Sequence, residues 1–299
     1  MFQAMSKFLK TPNYKQEQGP PIPSFDEYAK RIKQEFQALI DSDPDEPAVQ
    51  RFLEANPSMV PGAWTPGTRS GHWPIHLALI TQPPLHGFDG RKPDFLWLSK
   101  HSGAWYPALV EIERPRKKIF TAKGVPTAEF NQARNQFIQW RAWFDEPAHT
   151  ETFMDHYGVP LHLRTQCVRG NHFILIYGRR SEVNGKPALS KQRGLLMTTG
   201  DEEILSYDRL SPDSHLQYAL TVKATGGGQF EVIAVPETFA VCSRNASILT
   251  NFTGIDAAID RNERISRERA AFLKRRVAYW TDWIQSEDTS GVGGRDFWE

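Results

Sequence analysis

The stretch Pro93-Asp94-Phe95-Leu96-Trp97-Leu98, followed by Tyr106-Pro107-Ala108-Leu109-Val110-Glu111-Ile112-Glu113-Arg114-Pro115, decides how this chain is to be read. The two apolar runs predict buried strands, and Pro115 ends the second because it cannot donate to a ladder. Side chains alternate along a strand, so Glu111 and Glu113 share one face while Val110 and Ile112 pack on the other. If the first strand lies beside the second, Asp94 joins the two glutamates through cross-strand proximity. Carboxylates gathered against an apolar sheet repel one another unless a cation sits among them, and oxygen-only ligands suit Mg²⁺ or Mn²⁺. The pattern points to a divalent-metal phosphodiesterase site with Asp94, Glu111 and Glu113 as metal ligands. The alternative is two glutamates on a solvated strand face that bind nothing.

The cations Arg114, Arg116, Lys117 and Lys118 follow directly and are candidates for gripping a phosphate backbone. A helix is expected over 127–144, capped by Thr127, with Phe130, Ala133, Phe137, Trp140 and Phe144 on its buried face. Beside that face runs a second stripe of Gln132, Gln136, Gln139 and Trp143. Its amides suit a carboxylate cluster, or else form a solvated flank, the reading preferred for Gln136 and Gln139.

Taken together, Asp94, the Glu111-Ile112-Glu113-Arg114-Pro115 run, Glu129-Phe130-Asn131-Gln132-Ala133 on a helix and the expected strand from His172 to Arg180 resemble the core of the Shedu antiphage-defence nucleases. Phe52-Leu53-Glu54-Ala55-Asn56-Pro57 is similar to that family's first core helix, and 204–210 to its segment after the core. The resemblance implies an α/β fold of the PD-(D/E)xK restriction-endonuclease-like superfamily: a central mixed sheet flanked by helices in the order αβββαβ, with helical extensions at both ends. It implies a metal-dependent DNA endonuclease in which Asp94 and Glu111 hold Mg²⁺ or Mn²⁺, Gln132 is an active-site helix residue and Glu54 is an auxiliary acid. Where the superfamily has a lysine two residues after the central glutamate, this chain has Glu113. Glu113 is either a further ligand or water-orienting group, with Lys117, Lys118 or Lys123 supplying the cation, or the mark of an inactive relative that binds nucleic acid or a partner without cutting. By analogy, the chain is expected to be a homo-oligomer.

A chain of 299 residues with 39% hydrophobic content can bury one large core, and its net charge of +1 leaves any DNA contact to local clusters. The two cysteines, Cys167 and Cys242, without a secretory signal, predict a reducing cytoplasm and argue against a structural zinc site. No apolar run is long enough to span a bilayer. The expected organisation is a flexible or extended lead-in over 1–23, helices over 24–60, an α/β core over 61–250, and a basic amphipathic helix with a tail over 251–299. Ser24 and Glu27 have capping-box spacing, a second helix stops at Pro57, and 73–80 is expected to be a strand. Gly226-Gly227-Gly228 predicts a turn before a strand over 229–235, and a single helix is expected over 260–285. Between Arg261 and Arg276 that helix has seven basic residues against two glutamates, read as a solvated polar face in preference to a DNA or assembly contact. The Phe297-Trp298 end is a candidate to dock on a neighbouring subunit. His72 and His76 are read as ordinary surface or core histidines.

Overall fold

A strand buried on both faces organises the chain. In a computed structural model that describes residues 14–66, 72–90, 92–286 and 298–299, strand β3 (Ala104–Ile112) pairs antiparallel with β2 (Phe95–His101) and parallel with β5 (His172–Ile176). The rungs Phe95↔Val110 and Ile112↔Ile176 fix its C-terminal end against both neighbours. On one side of β2, β1 (Ala78–Thr81) runs antiparallel to it and β8 (Leu220–Gly226) parallel to β1, followed by β9 (Gln229–Ala234) and β10 (Phe252–Thr253). On the far side of β5 come β7 (Glu202–Leu205), parallel, and β6 (Thr198–Thr199), antiparallel, while β4 (Val168–Arg169) pairs with β3 off the main path. The result is one mixed sheet of ten strands in an α/β fold.

Helices cover both faces. Alternation sends Phe95, Trp97, Ala108, Val110, Ile112, Ile174 and Ile176 against helices α1 (Phe25–Asp41) and α2 (Glu46–Ala55). Leu96, Leu98, Leu109, Phe173 and Leu175 face α3 (Ala128–Asp145) and α4 (Pro147–His156), with α5 (Leu161–Gln166) leading into β4. The expected helix, three strands, helix and strand are therefore present in order, with α4, α5 and β4 inserted before the last strand. Ser24 and Glu27 form the expected capping box, and the Thr127 hydroxyl accepts the Phe130 N–H at 3.1 Å. After β5 come α6 (Pro187–Leu196), α7 (Ser243–Leu249), α8 (Ile255–Arg261) and α9 (Arg267–Gln285). The sheet continues through β10, and α8 and α9 pack into the same core as α3.

Several local expectations are corrected. Of the expected strand over 73–80 only 78–80 is strand, within β1; Pro74 has no N–H to give and Leu77 has φ 47°, so 73–77 follows β2 through isolated bonds such as Ile75 N–H to Leu98 O at 2.8 Å. The helix expected over 260–285 is two helices. The Asn262 side chain donates to Val235 O at 2.7 Å, and Ser266 caps a new start by accepting the Arg269 N–H at 3.1 Å. The described part of the lead-in, 14–23, has no helix or strand and is tied down: Tyr14 packs on Trp280, with ring centroids 5.1 Å apart, and Glu17 pairs with Arg275 at 2.6 Å. Residues 1–13, and 287–297 of the tail including Phe297, lie outside the described residues. Trp298 docks on its own chain, stacked on Tyr218 at 4.0 Å. Nor is the basic run a solvated face. Arg269 and Arg276 are buried around Glu299, while Lys274 pairs with Asp260 and Arg264 with Glu35. All three glycines of 226–228 have positive φ, as a tight hairpin between β8 and β9 requires. Among the described residues no helix is long and apolar enough to cross a membrane.

His76 is a core histidine. Its Nε2–H donates to Tyr157 O at 2.8 Å, its ring lies 4.7 Å from that of Phe230, and burial holds its pKa below the ordinary value of 6.5. Because the folded state keeps the ring neutral, its contribution is present above pH 6.5 and is lost as pH falls below it. Urea denaturation across pH 5 to 7, ordinary working values around the reference histidine pKa, should show stability falling with acid, with a shallower fall in His76→Gln.

Candidate active site

The C-terminal end of β3 gathers most of the acidic residues singled out in the sequence. Asp94 immediately precedes β2, and its backbone N–H donates to Val110 O at 3.0 Å. Its Oδ2 accepts the Ile112 N–H at 2.8 Å, so this carboxylate closes the β3 ladder beside Glu111. Glu111 itself has no solvent exposure and points, with Leu109, toward α3. There the Gln136 amide donates to Glu111 Oε1 at 3.0 Å. Gln136 is buried and Gln132 is exposed, so the amide that reaches the carboxylate lies one turn beyond the residue expected from the family resemblance. The solvated-flank reading of Gln136 is overturned; Gln139 is exposed, as that reading had it.

Glu113 continues the ladder by donating its N–H to Ile176 O at 3.1 Å, and its carbonyl accepts from the buried Tyr207 hydroxyl. Burial, with Asp94, Glu46 and Glu113 nearby, raises the Tyr207 pKa well above its ordinary value, so the phenol stays a donor. The Glu113 carboxylate is paired with Lys117 Nζ at 2.6 Å. Lys117 is thus brought beside the position two residues after Glu111. The backbone carrying Lys117 is held from behind: Glu182 accepts the Ile119 and Phe120 N–H groups at 3.1 and 2.8 Å. Gly178, with φ 64°, passes so near that a Cβ there would stand 2.8 Å from Lys117 O. Tyr177 sits behind this loop, its pKa raised to about 12 by burial, with Glu129, Glu113 and Glu182 adding to the rise.

Glu54 occupies the same end of the sheet on the α2 side, where it accepts from Thr81 Oγ1 at 2.5 Å and from Gln50 Nε2 at 3.1 Å. Thr81 is the rung partner of Phe95. Of the four candidate phosphate-binding cations, Arg116 pairs with Asp43 at 2.5 Å and Lys117 with Glu113, Arg114 is half-buried, and Lys118 is exposed. Among the described residues no group of three His, Cys, Asp or Glu side chains is placed to hold a metal ion together, so Asp94, Glu111 and Glu113 are not assembled as a three-carboxylate cage. Asp94 and Glu111 remain as two hard oxygen donors at one strand end, a donor set that fits Mg²⁺ or Mn²⁺, since such ions are commonly held by one or two carboxylates with water and substrate completing the shell. The contributions of Gln136, Tyr207 and Glu182 were not foreseen. Only Gln136 had a sequence signal, its place in the amide stripe; the others come from distant segments.

Sequence comparison adds one finding. The family model described as Shedu protein SduA, C-terminal, matches residues 43–211, more than half of the chain. No curated protein matches the chain significantly.

Removing the hydrogen bond to a buried carboxylate costs about 1–3 kcal/mol. Chemical denaturation should therefore show Gln136→Leu destabilised by that order and Gln132→Leu nearly neutral. Gly178→Ala should cost about 1–3 kcal/mol in the same assay, because the added Cβ meets backbone at a positive φ.

Proposed function

Because the chain belongs to the Shedu family, we propose that it acts in antiphage defence as a DNA phosphodiesterase that uses Mg²⁺ or Mn²⁺ on a restriction-endonuclease-like core. The observation that carries this reading is the placement of Asp94 and the fully buried Glu111 together at the end of β3. Taking a carboxylate out of water costs several kcal/mol, and a second one alongside raises that cost, so a site of this kind favours a bound cation.

In this reading Asp94 and Glu111 hold the metal. The bound ion supplies Lewis-acid stabilisation of the phosphate and a more acidic water. Gln136 fixes one oxygen of Glu111, leaving its carboxylate in a set orientation. Lys117 takes the place of the lysine absent two residues after Glu111, its ammonium orienting the attacking water or balancing charge on the phosphate, and Glu113 is its positioning residue. Glu54, held by Thr81, completes the acidic end of the sheet, and Arg114 and Lys118 contact the DNA backbone beside the site. Cutting both strands calls for two sites, which favours a homo-oligomer.

The second reading, a chain that keeps the fold and binds nucleic acid without cutting, is favoured by the presence of Glu113 where a lysine is expected. Incubation of supercoiled and linear plasmid with Mg²⁺, Mn²⁺ or EDTA separates the two. The nuclease reading expects metal-dependent cutting, lost by at least about a hundredfold in Glu111→Ala and lowered by at least about tenfold in Lys117→Ala. Glu113→Lys should also lower it, since the ion pair that places Lys117 is gone. A native chain inert with every metal, and cutting gained in Glu113→Lys, would establish the second reading instead.

A further inference from the structure

A cavity of about 550 Å³ opens beyond the C-terminal ends of β5 and β7. It is lined by the short helical turn after β5, the N-terminal end of α6, and the segment following β7. Four cations line it: Arg180, Lys186, Arg193 and Arg209, together with the hydroxyl-bearing Ser190 and Ser206. Among the described residues, no acidic one lines it. The carboxylates nearest in sequence are committed elsewhere: Glu182 to the Ile119 and Phe120 N–H groups, and Asp208 to Arg179 Nε at 3.0 Å and Arg180 N–H at 2.6 Å.

Three of these cations are exposed and taken alone would be an ordinary solvated surface. Arg193 differs. It is only 8% exposed, and its Nη1 donates to Arg179 O at 3.3 Å, a neutral acceptor. Among the described residues it makes no ion pair. Burial opposes its charge; Glu182 and Asp208 offset this in part, while Arg180 and Arg209 add to it. A buried guanidinium that makes no ion pair carries a desolvation cost that a bound anion would offset. The N-terminal end of α6, where Pro187 begins the helix and no side chain caps it, places the positive end of its dipole at the same cavity, which Lys186, Pro187 and Ser190 line. Cation fork, helix terminus and hydroxyls together are the recognition chemistry of a phosphate group, and the volume suits a small ligand.

We propose that the cavity lined by Arg180, Lys186, Arg193 and Arg209 is a phosphate-binding site, separate from the carboxylate site at the end of β3. Its ligand is either a free phosphorylated small molecule or a backbone phosphate of a nucleic acid, and the test distinguishes them. The assignment does not depend on DNA cleavage.

The test is calorimetric titration of the full chain with pyrophosphate in EDTA at low salt, with chloride of matched ionic strength as the control. Saturable binding is expected, weakened about tenfold or more in the Lys186→Ala, Arg209→Ala double variant and in Arg193→Gln, and unchanged in Glu111→Ala. The double variant alters exposed residues, so its melting temperature should stay that of the native chain even if Arg193→Gln folds poorly. Displacement of a bound 5′-hydroxyl duplex oligonucleotide by pyrophosphate would identify a backbone phosphate as the ligand. Pyrophosphate binding without displacement would identify a free phosphorylated molecule. No saturable binding by the native chain, or undiminished binding by a normally folded double variant, would overturn the proposal. Cleavage lost in Glu111→Ala while pyrophosphate binding persists would separate the two sites.

Discussion

Burial of Glu111 inside a strand hydrogen-bonded on both sides is the constraint on which the surrounding structure depends. The residue cannot move to water without breaking rungs to both β2 and β5, so charge at this position must be accommodated by what packs around it. Several placements follow: Gln136 on α3 turns inward, Asp94 closes the ladder at Ile112, and Glu113, at the ladder's last bond to β5, is paired with its own cation, Lys117. None of these contacts alone offsets the desolvation of a carboxylate, for a hydrogen bond to a charged group contributes about 1.5–3 kcal/mol and the transfer costs several. A strand end of this kind is held together by the apolar packing on both faces, with Phe95, Trp97 and Val110 on one and Leu96, Leu98 and Leu109 on the other. Stability elsewhere in the sheet permits an electrostatically unfavourable end.

What the sequence made legible follows from range. Caps and turns act over three or four residues, so Ser24 with Glu27, Thr127 before α3, and the glycine hairpin could be read directly. The strands carrying Asp94 and Glu111 were legible because their apolar runs are continuous. Gln136 shows where this reasoning stops: stripe geometry places Gln132 and Gln136 on one helix face, and only the height of α3 over β3 decides which of them meets Glu111. The break between α8 and α9 escaped notice for a similar reason. Periodicity runs through Asn262 to Ser266, and it is Asn262 binding Val235, just past β9, that turns the chain there.

Charge was the least legible property. A run of arginines near the C-terminus reads as a solvated surface, yet Arg269 and Arg276 are interior residues whose guanidinium groups order Glu299 and the lead-in, and Lys15 O accepts from Arg276 at 2.6 Å. Among the cations after Glu113, two are bound to acids, one of them from the link between α1 and α2. Sequence shows where charges are dense; folding decides which remain available to a ligand, because each intramolecular pair removes a cation from that role.

The parallel order of β3, β5 and β7 explains why both polar sites lie near one another. Parallel strands direct their C-terminal ends, with the loops that follow, to the same edge of a sheet, and such edges are where α/β proteins place ligands. The loop after β3 carries Lys117, the loop after β5 carries Arg180 and Glu182, and the segment after β7 carries Arg209. Glu182 binds the first of these loops while its neighbours line the cationic cavity, so the segment between β5 and α6 is a wall common to the two sites. Gly178 is what permits that wall to stand so close: a side chain there would push on Lys117 O, and through it on the ion pair at Glu113. The separation between a carboxylate site and a cationic one, a few residues apart along the sheet edge, thus rests on backbone contacts too close for any residue larger than glycine.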